Sequence, residues 1–179
     1  MYYFTQNSQK PGFPNPGIFL YTDLMKKESS LQELQKLVSQ CKVSILYKPL
    51  KNEIDYNDHS FPLKIYSNNL ILPNNKDSDP FEWATKCMTK FKNTKPYILV
   101  PGTQFDRHGT RHGRGGGWYD RFLSKVPRTW LRIGITDTSE ISHSPILRQE
   151  WDEPVDWIMV SNNNLWEVYK IDAIKLETQ

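Results

Sequence analysis

Between Phe105 and Leu123 the chain reads FDRHGTRHGRGGGWYDRFL, a stretch with three consecutive glycines and four arginines. Gly115, Gly116 and Gly117 lose more backbone entropy on folding than other residues would, so something must offset that loss. A bound anion does this. Without a Cβ the backbone approaches a ligand closely and aims successive N–H groups at phosphate oxygens, and a helix N-terminus just beyond adds partial positive charge. Arg111 and Arg114 flank the loop with planar, permanently charged forks suited to phosphate or carboxylate. All seven arginines fall between Arg107 and Arg148, and the first 106 residues rely on lysine for positive charge.

Asp120 follows the glycines within one helical turn, and a carboxylate beside a polyphosphate site is what holds magnesium there. Asp152, in the run Trp151-Asp152-Glu153-Pro154, would complete an oxygen-ligand set with waters and phosphate oxygens. The simpler reading of Asp120 is a first-turn carboxylate that complements the helix dipole. The glycine run itself matches neither the dinucleotide fingerprint nor the P-loop, which ends in Lys-Ser or Lys-Thr. Arginines interleaved with glycines and aromatics also suit an RNA surface. A true arginine-glycine tract is repeated and disordered, however, and this one occurs once, between an expected strand and an expected helix.

The elements that must hold these residues alternate in type. From Ser30, a plausible N-cap, Leu31, Leu34, Leu37, Val38 and Cys41 recur at helical spacing. Val43 to Tyr47 reads as a short buried strand. Leu63 to Tyr66 and Leu70 to Leu72 read as two more, separated by the Asn68-Asn69 turn signal. Pro80 sits where a first helical position belongs, and Phe81, Ala84, Met88 and Phe91 mark one face of a helix ending near Lys92. Tyr97 to Val100 is a buried strand leading into the glycine loop, and Trp118 to Lys125 a helix leading out of it. Leu131 to Thr136, Val155 to Val160 and Leu165 to Tyr169 close the series as strands, with Asn162 to Asn164 a turn. Such alternation predicts an α/β fold, a single layered domain with a mostly parallel central sheet flanked by helices, whose ligands gather at the carboxyl ends of the strands.

At 179 residues the chain fits one domain with one core. The segment before Ser30 is rich in proline and glycine and is expected to be extended. A net charge of +3 points to neither a nucleic-acid-coating nor a membrane-surface protein. Cys41 and Cys87 share no metal-ligand spacing and are expected to be buried free thiols in a reducing compartment. The opening residues lack a basic start and an apolar run, so the expected location is the cytoplasm.

The stretch VPGTQFDRHGTRHGRGGGWYDRFL resembles the signature of the 5-formyltetrahydrofolate cyclo-ligase family. Pro-Gly, Phe-Asp, Gly-x-Arg-x-Gly, Gly-x-Gly and Tyr-Asp-Arg-Phe-Leu stand in the family's order and spacing. ILYKPLKNEID, from Ile45 to Asp55, is similar to the family's strand followed by a glutamate, and WDEPVDWIMV matches near the end. The resemblance implies ATP- and magnesium-dependent closure of 5-formyltetrahydrofolate to 5,10-methenyltetrahydrofolate, with ADP and phosphate released. It implies that Arg111, Gly113, Arg114, Gly115, Gly116, Gly117 and Trp118 line ATP, and that Glu53 and Tyr119 contact the reduced folate. Arg114 and Tyr119 would be catalytic, and Asp120 and Asp152 would hold Mg2+. The implied partners are a reduced folate and ATP, with no nucleic acid, no membrane and a monomeric state.

The chain departs from the family pattern at three points. The early Lys/Arg pair that reaches the nucleotide phosphates has no arginine here, leaving Lys10, Lys26 and Lys27 as the early cations. Trp118 replaces a tyrosine, and His112 replaces an aliphatic residue. A relative that binds folate or nucleotide without turnover is therefore the alternative function.

Overall fold

A computed structural model describes residues 30–51, 53–57, 60–73, 77–137, 141–142, 144–162 and 165–171. The extended segment expected before Ser30, with Lys10, Lys26 and Lys27, lies outside the described residues. So do Asn163 and Asn164 of the expected turn.

Helix α1 covers 30–41, and the strand β1 (Ser44–Tyr47) follows it directly. Then come β2 (Asn69–Leu72), α2 (Pro80–Lys90) and β3 (Tyr97–Pro101). Next are the short β4 (Gln104–Asp106) and β5 (Arg111–His112), and then α3 (Trp118–Lys125). The chain closes with β6 (Leu131–Asp137), β7 (Ile141–Ser142), β8 (Trp157–Asn162) and β9 (Leu165–Lys170). Six strands form one sheet in the order β2-β1-β3-β6-β8-β9. Every pairing in it is parallel except the edge hairpin β8–β9, in which Asn162 stands opposite Leu165. The expected α/β domain with a mostly parallel sheet is the observed one.

Instead of the single core expected, strand alternation divides the interior into two, one on each face of the sheet. Ile45, Ile98, Val100, Ile158 and Val160 pack with Ala84 and Cys87 of α2 and Phe122 and Leu123 of α3. Their neighbours Leu46, Tyr97, Leu99, Ile133, Ile135, Trp157 and Met159 pack with Leu34 and Val38 of α1. A sheet covered on both faces needs strands that are apolar throughout, and all five residues of β3 are buried. The α2 helix starts as its sequence dictates: Pro80 takes the first turn, and the Asp79 carboxylate accepts from Phe81 N at 2.9 Å.

The expected strand from Leu63 to Tyr66 does not form. Leu63 is buried in the α1-side core, but the backbone around it is bonded by side chains instead of a neighbouring strand. Gln35 Nε2 donates to the Pro62 carbonyl at 3.0 Å, and the Tyr97 hydroxyl donates to the Lys64 carbonyl at 2.8 Å. The apolar alternation there signals packing on a surface, which a strand and an irregular segment share.

Three strands too short for any periodicity build a second sheet, β5-β4-β7. It is wedged against the first because two glycines leave room for one ring. A Cβ on Gly134 of β6 would lie 2.5 Å from Phe105 Cε1, and one on Gly102 would lie 2.6 Å from Phe105 Cε2. Both cysteines are free, as expected; Cys87 is buried, whereas Cys41 is only partly so. Burial raises the Cys41 thiol to about 11 and the Cys87 thiol to about 12. No helix among the described residues is long and apolar enough to cross a membrane.

Two outcomes follow. Gly134→Ala forces a methyl against a ring with no free space, so urea denaturation should show a loss of about 1–3 kcal/mol, the usual cost of overpacking. Both thiols stay protonated in the folded protein at pH 8, so a disulfide-exchange reagent should label neither within minutes. Unfolding in urea should make both reactive.

Candidate active site

The glycine loop leaves β5 and enters α3, and both of its ends are fixed. Arg111 Nη2 meets Asp120 Oδ2 at 2.7 Å, with the two side chains only 6% and 14% exposed. The guanidinium carbon of Arg111 also sits 5.5 Å from the centre of the Tyr119 ring. Gly113 is required beneath it, since an added Cβ would collide with Arg111 Nη1. Gly115 (φ +80°) and Gly117 (φ +57°) take left-handed backbone that favours glycine. An added Cβ on Gly115 or Gly116 would meet nothing within 4 Å, so the apex of the loop faces open space.

That space is a cavity of about 610 Å3 whose lining comes from two segments, Gly115, Gly116, Gly117, Asp120, Arg121 and Ser124 of the loop and α3, and Glu150, Trp151 and Glu153 of the segment before β8. The second segment is anchored. Glu153 N donates to Asp120 Oδ1 at 3.4 Å, and the Glu153 carboxylate accepts from Arg132 Nη1 at 2.6 Å. Arg132, almost wholly buried on β6, also donates through Nη2 to the Leu123 carbonyl at 2.8 Å. One guanidinium thus ties α3 to that segment. Burial lowers its pKa, with the bonded Glu153 opposing that shift.

On the other flank stands Glu53, beyond the carboxyl end of β1. Its loop is closed by two phenols: the Tyr47 hydroxyl donates to the Ile54 carbonyl at 2.6 Å, and the Tyr56 hydroxyl donates to the Tyr47 carbonyl at 2.7 Å. Glu53 Oε2 accepts from Leu50 N at 3.0 Å, and Oε1 lies 3.6 Å from Arg114 Nη2. Burial raises the Tyr119 pKa, the Glu53 charge raises it further, and Arg111 opposes both. Tyr119 is therefore a neutral phenol at physiological pH, able to donate a hydrogen bond. Trp118 stacks on Phe122 with centroids 5.5 Å apart and donates Nε1 to the Ser78 carbonyl at 2.8 Å.

The structure therefore gathers Glu53, Arg111, Gly113 to Gly117, Trp118, Tyr119 and Asp120 at one edge of the sheet. Of the residues expected at ATP or Mg2+, Gly115, Gly116, Gly117 and Asp120 line the cavity. Gly113, Arg114 and Trp118 do not, Arg114 lying toward Glu53 and Trp118 against Phe122, and neither do Arg111 and Asp152. Arg111 lies under the loop on Asp120 instead of lining the cavity, because the partly buried carboxylate is the nearest anion. Asp152 is not among the lining residues: its Oδ2 accepts from Gln149 N at 2.8 Å and so caps its own turn.

Residue types alone did not single out Asp106, Arg132, Glu150, Trp151 or Glu153. Asp106 is buried, and its Oδ1 accepts from His108 N and Thr110 N, each at 2.9 Å. Its Oδ2 accepts from Ile146 N at 2.8 Å, joining the hairpin that carries the glycine loop to the segment preceding Trp151. An Asp three residues before a glycine is a turn signal that would have found it. A charge inside LRIGIT would have found Arg132.

A glycine loop between a short hairpin and a helix, at the carboxyl edge of a parallel sheet, defines an α/β protein with an open crevice where such folds bind their ligands. The chain belongs to the 5-formyltetrahydrofolate cyclo-ligase family, whose model matches residues 18–161. It is 29% identical over 120 residues to a 5-formyltetrahydrofolate cyclo-ligase of Mycoplasma pneumoniae, a match covering 66% of this chain and 72% of that protein. The cyclo-ligase of Mycoplasma genitalium is 27% identical over 116 residues, 64% of this chain and 69% of the other. A solved 5,10-methenyltetrahydrofolate synthetase from Mycoplasma pneumoniae is similar with a TM-score of 0.47 and 23% identity, over 75% of this chain and 86% of that one. Family membership places the chain among folate-handling ligases.

Asp106→Ala should strand three buried or partly buried N–H groups at once. At about 1 kcal/mol or more for each unsatisfied donor, the expected loss is about 3 kcal/mol in a urea melt. A loss below about 0.5 kcal/mol, the range of a neutral surface change, would mean that the hairpin is held by something else.

Proposed function

We propose that the chain converts 5-formyltetrahydrofolate to 5,10-methenyltetrahydrofolate using ATP, releasing ADP and phosphate. The observation that supports this reading most is the glycine loop of a family member: its apex borders open space and lines the cavity, with Asp120 at the first turn of α3. A formyl oxygen is a poor leaving group, so the γ-phosphoryl group is transferred to it. The N10 nitrogen then attacks the formyl carbon, the carbon–oxygen bond breaks with phosphate leaving, and N10 gives up its proton.

Such a transfer depends on positioning and charge stabilisation more than on covalent help from the protein. The Gly115 to Gly117 amides receive phosphate oxygens, and Arg114, half exposed and 3.6 Å from Glu53, supplies a guanidinium. Tyr119 donates a hydrogen bond to the reacting oxygens, and Glu53 accepts from the N–H groups of the pterin. Arg111 keeps Asp120 and Tyr119 in place.

Magnesium fits the donors present. Among the described residues no group of three or more potential ligand side chains converges, as an all-protein cage would require. Mg2+ instead commonly takes one or two carboxylates and completes its shell with phosphates and waters. Asp120 supplies the first, since its Oδ1 accepts only the long bond from Glu153 N. Asp152, flanked by the lining residues Trp151 and Glu153, is the second, through its Oδ1, while Oδ2 keeps the bond from Gln149 N. The bound ion would neutralise the phosphates and hold them in line.

Incubation with 5-formyltetrahydrofolate and MgATP should generate the near-ultraviolet absorbance of the methenyl product. Ligand binding by calorimetry without any turnover would leave a non-catalytic relative. Arg114→Ala should lower kcat by about 100-fold or more, as loss of one donor to developing charge does elsewhere. Asp120→Asn should raise the magnesium concentration needed for half-maximal rate by about tenfold, and an unchanged requirement would remove Asp120 from the metal.

A further inference from the structure

Trp151 is 67% exposed, while the other five tryptophans are buried or half-buried. It lines the same cavity as Gly115, Gly116 and Gly117. The turn carrying it is closed by several bonds. Asp152 N donates to the Gln149 carbonyl at 3.1 Å, Gln149 N donates to Asp152 Oδ2 at 2.8 Å, and Arg148 Nη2 donates to the Asp152 carbonyl at 3.2 Å. The next residue, Glu153, is fixed to buried Arg132 and to Asp120. A large aromatic surface is therefore held out in water, facing a polar crevice, by a turn that is itself well bonded. Large apolar surface left exposed at a concave site marks binding.

We propose that Trp151 is the stacking platform for the base of the nucleotide whose phosphates occupy the glycine loop, a subsite that rests on the nucleotide reading above. An indole offers a flat, rigid face on which any planar heterocycle stacks. Its position sets the order of the ligand along the cavity: phosphates at the glycines and Asp120, base at the segment before β8. Glu150, beside Trp151 on that segment, accepts from an exocyclic amine. Leu147 is also exposed on this segment but does not line the cavity, so the aromatic face alone is turned to the ligand.

The test compares MgATP with magnesium tripolyphosphate, which lacks the base, on the full-length protein, using tryptophan fluorescence and calorimetry. MgATP should quench the wild-type fluorescence, and Trp151→Phe should abolish most of that change while keeping most of the affinity. Trp151→Ala should weaken MgATP roughly tenfold, the scale of losing one aromatic–base stack, and leave tripolyphosphate within about twofold. Equal weakening of both ligands, or selective weakening of 5-formyltetrahydrofolate, would overturn the platform. So would a wild type that binds tripolyphosphate as tightly as MgATP, although the phosphate cradle would then stand. A wild type that binds neither ligand removes the nucleotide reading and the platform together.

Discussion

The ion pair between Arg111 and Asp120 is the constraint on which the site depends. These residues are nine positions apart, and the three consecutive glycines lie between them. Left to itself such a segment samples more backbone states than any other of its length. Drawing its ends together across a short, partly buried pair removes much of that freedom before any ligand arrives. The pair also explains details on either side of it. Gly113 has no Cβ because the guanidinium occupies that place. Tyr119 is held by the same guanidinium against its ring. A lysine at position 111 would supply the charge but neither the planar fork nor the stacking face.

The larger fold delivers the two ends of this pair. Parallel strands buried on both faces force their connections to the edges, and ligand-binding loops collect where the strands end. Glu53 follows β1 and the glycine loop follows β3, and these strands are paired neighbours. Between β3 and α3 the chain inserts β4 and β5, two strands of the small sheet, whose Phe105 ring is keyed into Gly102 and Gly134. Asp106 then fixes the hairpin and the segment before Trp151 with a single carboxylate. Arg132 does the corresponding work between α3 and Glu153. The walls of the cavity are thus connected through buried charges rather than through apolar packing alone, which suits a crevice that must stay polar and hold its width.

Much of this was legible in the chain because the signals were local. Trp118 to Lys125 reads as a helix and forms over those residues, between a left-handed glycine and an extended Val126. Pro80 and the period from Phe81 to Met88 locate α2, and the apolar runs locate the central strands. What failed needed tertiary information. Leu63 to Tyr66 has a strand's alternation, yet its Lys64 carbonyl is taken by Tyr97, its Tyr66 carbonyl by Asn69 and the preceding Pro62 carbonyl by Gln35. The strands β4, β5 and β7 have two or three residues each, too few to display a period. Within the site, residue types picked out Glu53, Arg111, Arg114 and Asp120, which the fold brings near one another, whereas Glu150, Glu153 and Arg132 and every side chain's orientation came from geometry. Arg111 and Arg114 stand three positions apart, and one is buried on Asp120 while the other reaches Glu53.

That division of the arginines bears on how charge is balanced in the crevice. The cavity walls carry Asp120, Glu150 and Glu153 against a single guanidinium, Arg121. With Arg111 already committed to Asp120, and Glu153 partly neutralised by Arg132, the walls alone do not attract a triphosphate. Under the proposed function, the neutral amides of the glycine loop would hold phosphate oxygens without adding formal charge, and a divalent ion would match what remains. On the proposed reading, anion and cation are thus bound as one neutralised unit, each making the other's site favourable, and Asp120 is where the two requirements meet. A loop with more fixed positive charge would bind phosphate more tightly before and after transfer alike. Uniform binding of that kind leaves the barrier unchanged, whereas a cradle of amides with one half-exposed arginine can strengthen its grip as charge moves.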